Sequence, residues 1–170
     1  MRTALFLFCL ALSSGRPASA QNAPAGHDSE HCAMMQRGDH AMGFSHETAT
    51  HHFRLFKDGG EISVDANDPK DTATVGQIRG HLTHVAKLFS AGNFEVPMFI
   101  HDTNPPGVAT MSRRKDEIQY QYIETDRGGR IRIITTSPQT TDAVHAFLLF
   151  QMADHQTGDS PKIIDDLQKR

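Results

Sequence analysis

A strand, Gly-Gly turn, strand, proline, helix unit occurs twice in this chain, at 51–94 and 118–160, and this repetition limits its folds more than any other feature. Gly59-Gly60, Ile62, Val64 and Pro69 fall on Gly128-Gly129, Ile131, Ile133 and Pro138 at a constant offset of 69. The following helices match at an offset of 66, with Ile78, Leu82, Phe89 and Gly92 on Val144, Leu148, His155 and Gly158. One such unit cannot cover its own apolar face, so two of them are expected to share one core about a pseudo-twofold axis.

Residues 1–20 read as a secretory signal peptide. Arg2 is followed by an apolar run from Ala4 to Leu12 and by Ala18-Ser19-Ala20, a small-residue cleavage site. The apolar run is too short to span a bilayer. The expected location is the periplasm or the medium, with no stable membrane insertion. Removal of the signal takes away Arg2 and Arg16 and no acidic residue, so the formal charge moves from −3 to −5. A nucleic-acid partner needs a clustered basic face, which Arg113-Arg114-Lys115, followed by Asp116-Glu117, does not supply. Cys32 alone outlives processing. It suggests either a homodimer through an intermolecular disulfide or a metal thiolate rather than an internal staple.

Residues 21–45 lack apolar periodicity and read as a flexible leader. A single domain follows over 46–160, and 161–170 reads as a polar tail. Alternation at His51, Phe53 and Leu55, the Asp58-Gly59-Gly60 turn, and Ile62, Val64 and Ala66 predict a hairpin over 51–66. Val75, Ile78, Leu82, Val85 and Phe89 draw one helical stripe over 71–90. Strands are predicted near 96–101 and 108–112, then a second hairpin at 118–125 and 130–136. Ser137-Pro138 opens a second helix that runs to about His155. The expected fold is α+β: an antiparallel sheet of about five or six strands with both helices on one face.

The chemistry is concentrated in the leader. His27, His31, Cys32, Met34, Met35, His40, Met42 and His46 place eight imidazole, thiol or thioether groups within 20 residues. Thioether and thiolate donors select Cu(I), and imidazole serves Cu(II), zinc and nickel. Copper sequestration or delivery is the leading expectation, against a solvated leader that is merely rich in His and Met. His46 and His51 stand five residues apart, which excludes the i, i+4 histidine pair of helical zinc proteases. Cys32 lacks the second Cys and the His that covalent haem attachment requires.

A second site is expected between the repeats. Val144, Phe147, Leu148, Gln151 and His155 share one helical stripe, which places Gln151 and His155 on the buried face. There they need partners. His155 either caps its helix or lines a polar pocket with Gln151 and the inward-facing His51. Such a pocket would suit a small ligand, noncovalent haem with His155 or His51 as axial ligand, or an enzyme using Gln151 and His155. His101-Asp102 reads as a ligand with an orienting carboxylate or as a turn.

The stretch from Met42-Gly43-Phe44 through His51-His52-Phe53, Gly59-Gly60, His81-Leu82, Met98, His101-Asp102 and His145-Ala146-Phe147-Leu148, Phe150-Gln151 to His155-Gln156-Thr157-Gly158-Asp159 resembles a family of small exported proteins of Gram-negative bacteria. The resemblance implies export and a single domain, and no particular activity.

Overall fold

The computed structural model describes residues 25–165, with side chains from residue 29 onward. The signal segment and the imidazole of His27 lie outside that range. The chain is α+β. A five-stranded sheet in the order β3-β4-β2-β1-β5 is formed by β1 (Ala49–Phe56), β2 (Gly59–Ala66), β3 (Ile118–Thr125), β4 (Gly128–Thr135) and β5 (Ile163–Ile164). Five α-helices accompany it: α1 (Ala25–Met42), α2 (Thr72–Ser90), α3 (Glu95–His101), α4 (Val108–Arg113) and α5 (Pro138–Asp154).

Both predicted hairpins form, β1 with β2 and β3 with β4. They join edge to edge through β2 and β4, antiparallel, in a register centred on Ile62 opposite Ile131. On one face Ile62, Val64, Ile131 and Ile133 are buried against α2 and α5. Phe89 of α2 meets Phe147 of α5 edge to face, with ring centroids 6.0 Å apart, so both helices cover the same side. Helix α2 lies mainly over the second hairpin and α5 over the first. The approach is close. A methyl on Gly60 would fall 2.2 Å from Leu148 Cδ1, and Gly107, at φ 84°, lies against the Ala143 carbonyl at the start of α4.

The opposite face carries ion pairs. Glu61 is buried under Arg54, 2.7 Å away, and Arg130, while the Arg132 guanidinium lies 4.5 Å over the Phe56 ring. A buried carboxylate needs such partners.

Four expectations are corrected. The sheet is mixed, because β5, drawn from the expected polar tail, pairs parallel with Leu55 and Phe56 of β1. It is held there by Asp159, which accepts the Phe53 N–H at 2.8 Å and pairs with His52 Nδ1 at 2.9 Å. The segments read as strands at 96–101 and 108–112 are the helices α3 and α4. Pro97 sits in the first turn of α3, where its missing N–H costs nothing, and the left-handed Asp102 ends that helix. From Ala25 the expected flexible leader is helix α1. Its buried residues, Met34, Gly38 and Met42, recur every fourth position and pack the helix against α3, where Arg37 Nε also donates to the Ile100 carbonyl at 2.7 Å. A stripe of two thioethers and a glycine scores as weakly apolar, so periodicity alone does not reveal it.

Candidate functional site

Four histidines from four elements gather where β1, α2, α3 and the end of α5 meet. The alternation of β1 turns His51 inward with Phe53 and Leu55, as expected. His155 follows α5 as its C-cap residue, and its backbone N–H bonds the Gln151 carbonyl. Its ring stacks on His51, with centroids 5.5 Å apart and planes 13° from parallel, and meets His101 edge-on at 5.0 Å. His81 of α2 closes the group beside Phe44, at 5.8 Å.

The electrostatics follow from burial. Desolvation, with smaller repulsions from His81 and His52, pushes His51 from 6.5 down to about 4. Desolvation and His84 bring His81 to about 4 as well. His155 is pushed well below the ordinary imidazole range, first by burial and then by the His51, His101 and His31 rings. Near neutral pH these three rings are uncharged and retain a lone pair, the form in which imidazole binds metals or accepts a hydrogen bond.

His101 is held differently. Its side chain is 1% exposed, and its Nδ1–H donates at 2.5 Å to the carboxylate of Asp154, which is 40% exposed. Its Nε2 lies 3.0 Å from Gln151 Oε1. The carboxylate that orients His101 is therefore Asp154, fifty-three positions away, and not the neighbouring Asp102. Gln151, 5% exposed, is buried as expected, and its side-chain amide meets His101 Nε2 rather than His155.

Three cavities adjoin this group. The smallest of the three, about 60 Å³, is lined by Phe53, Val64, Leu82 and Phe147 together with all four histidines and Gln151. That volume is far below the ~300 Å³ at which sites for drug-sized ligands begin. An outer cleft of about 730 Å³ between α1 and α5 has His101 and Asp154 on its floor. A third cleft, about 260 Å³, lies beneath α1 and is lined by Met34, Met35, Met42, His46, His51 and His155.

The leader's donors are thus divided. Met34, Met35, Met42 and His46 reach the third cleft, together with His51 and His155. His31 lines the outer cleft, Cys32 is exposed and free, and His40 points outward beside Phe99. His46 Nδ1 bonds both Asp39 carboxylate oxygens, at 2.9 and 3.0 Å, which leaves the ring's lone pair on Nε2. Among the described residues no three His, Cys, Asp or Glu side chains converge to hold a metal ion. No helix among them is long and apolar enough to cross a membrane.

Sequence reading did not place His81, His101 and Asp154 in this group. Helical spacing from Val96 to Ile100 across Pro97 is the signal that moves His101 from a strand end to a helix end facing α5. Compared with family models, curated proteins and solved structures, the chain matches none.

Proposed function

We propose that this chain is an exported copper-binding protein that holds one Cu(I) ion in the cleft beneath α1. The carrying observation is that three leader thioethers, Met34, Met35 and Met42, line the same 260 Å³ cleft as His46, His51 and His155. Cu(I) is the ion that thioether and neutral imidazole select together, and it needs no carboxylate. Two imidazoles with one or two thioethers would complete its coordination. Two of the imidazoles are kept unprotonated by burial, and His46 is steered by a carboxylate on its far nitrogen, the arrangement common behind metal-bound histidines. A site that closes by docking a helix suits sequestration or delivery, since lifting α1 would remove the thioethers from the ion. The reading also includes an internal duplication: the β2–β4 register centres on Ile62 and Ile131, equivalent positions of the two copies, as a twofold relation would produce.

The test is an anaerobic Cu(I) titration against a chromophoric chelator. One equivalent is expected to bind. Replacing Met34, Met35 and Met42 together by Leu preserves volume, so each change costs less than about 1.5 kcal/mol of stability. It is expected to weaken Cu(I) by about 100-fold or more, at or beyond the top of the ~10–100-fold range measured for outer-shell changes. Undiminished Cu(I) binding by that folded variant, or no Cu(I) binding by the native chain, overturns the reading.

A further inference from the structure

The two edges of the sheet are finished differently. At one edge β5 is two residues long, flanked by Lys162 and by Asp165, which pairs with Lys57. A short strand between charges is a poor template for another chain. The other edge is β3, eight residues from Ile118 to Thr125. It carries no Lys, Arg or Pro, and its single charge, Glu124, is turned to Arg79 of α2 at 3.6 Å. Its ladder with β4 runs one-to-one from Ile118 opposite Thr135 to Thr125 opposite Gly128, so no bulge twists the edge away. Among the described residues, β4 and α2 are the elements packed mainly against β3, and no backbone hydrogen bond outside the ladder reaches residues 119–124. An antiparallel ladder uses the N–H and C=O groups of alternate residues, so the others line an open edge. Exposed Gln119 and Gln121 flank that edge on the open face of the sheet, and half-buried Tyr120 and Tyr122 flank it on the core side.

We infer that β3 is an interaction surface for a second copy of this chain, the two β3 strands pairing antiparallel about a twofold axis at Gln121 to form one continuous sheet. The strand is its own complement. Pairing about that axis sets Gln121 against the partner's Gln121, Tyr120 against the partner's Tyr122, and Gln119 against the partner's Ile123. Each pair joins residues of one parity, so outward backbone groups meet outward groups and both sheet faces continue across the axis. Facing tyrosines are a favourable cross-strand pair. The two Glu124 side chains fall about 20 Å apart along the strands, at ~3.4 Å per residue, and are screened from one another in physiological salt. A foreign peptide added to a sheet edge is selected by pockets for its alternate side chains, and none of the three cavities described above reaches β3. One strand pair lies at the small end of interface sizes, so the dissociation constant is expected on the order of 10 μM.

The experiment is sedimentation equilibrium of the full chain after removal of the signal segment, from about 1 to 300 μM, a range that brackets the expected constant. Cys32→Ser is the background, which removes any dimer held by that thiol. A reversible monomer–dimer equilibrium is expected. Gln121→Lys sets two like charges face to face at the axis, on an exposed position, and is expected to weaken the dimer about fivefold while the circular dichroism stays native. Gln121→Cys is expected to close an intermolecular disulfide on mild oxidation, because facing Cα atoms of an antiparallel pair lie about 4.5–5.5 Å apart, within disulfide reach. Gln119→Cys is the control, since its two copies would lie about 14 Å apart along the strands. A monomer throughout the range overturns the inference and leaves the edge to a foreign strand or to solvent. A dimer that Gln121→Lys does not weaken, or that Gln119→Cys cross-links as readily as Gln121→Cys, also overturns it, because another surface then makes the contact. The native-background sedimentation stands even if a variant fails to fold. No copper enters these measurements, and β4 and β2 separate β3 from β1, so this outcome and that of the copper titration are separable.

Discussion

At the residue scale the sharpest contrast is between glycines that look alike in the sequence. Gly60 lies where α5 presses on the sheet, and a methyl there would meet Leu148 Cδ1 at 2.2 Å and the Arg54 carbonyl at 2.6 Å. The leucine can turn, but the backbone carbonyl cannot. Gly60→Ala is therefore expected to cost about 1–3 kcal/mol by overpacking. Gly76 lies on the exposed side of α2 with nothing within 4 Å, so Gly76→Ala is expected to gain about 0.5–1 kcal/mol from helix propensity. Urea denaturation of both variants checks the pair, and a loss at Gly76 or a gain at Gly60 would contradict the packing described. The sequence marks both residues as glycine, and only the approach of α5 separates them.

At the scale of elements, α1 is where structure and sequence part most. A flexible leader could be removed without loss. The helix buries Met34, which is 3% exposed, and Met42, and is tied to α3 through Arg37 and Ile100. Deleting residues 21–45 is now expected to lower the melting temperature of the metal-free protein, because it uncovers the apolar surface of α3 and of the histidine group. Met42→Ala alone is expected to cost about 2–5 kcal/mol, the range for a buried methionine emptied to a methyl. An unchanged melting temperature after the deletion would return α1 to the role of a solvated tether. Positions 34, 38 and 42 do lie on one helical face, but only two of them are thioethers and the third is a glycine. Histidines and charged groups filling the other positions kept the segment from resembling an apolar stripe.

Over the whole molecule, His51, His81 and His155 tie stability to pH. His51 and His81 are protonated near pH 4 when folded and near 6.5 when unfolded, and His155 is displaced in the same direction. Between those values the unfolded chain binds more protons, so acidification favours unfolding. The urea midpoint is expected to stay level in these groups above about pH 6.5 and to fall steadily from there toward pH 5, before most carboxylates begin to titrate. A midpoint that rose on acidification through this window would mean that the rings are charged in the fold. The His81→Gln variant should flatten part of the slope. The same global arrangement makes the two halves interdependent, because each long helix lies mainly over the other unit's hairpin.

The sequence by itself determined the two hairpins, the two long helices, the buried side of α5 and the inward face of His51, because alternation, Gly-Gly turns, a 3-4 apolar stripe and Ser-Pro are local rules that the chain obeys within a few residues. It also identified the donor types, since thioether and imidazole are legible without coordinates. Tertiary structure alone decided that the leader would dock as a helix, that 96–101 and 108–112 would coil rather than extend, and that the tail would add a parallel edge strand. It also decided that His101 would take its carboxylate from Asp154 and its second contact from the Gln151 amide. These outcomes rest on contacts between residues far apart in the chain, where the benefit of burying a short helix or pairing a distant carboxylate depends on what another segment brings to the same place.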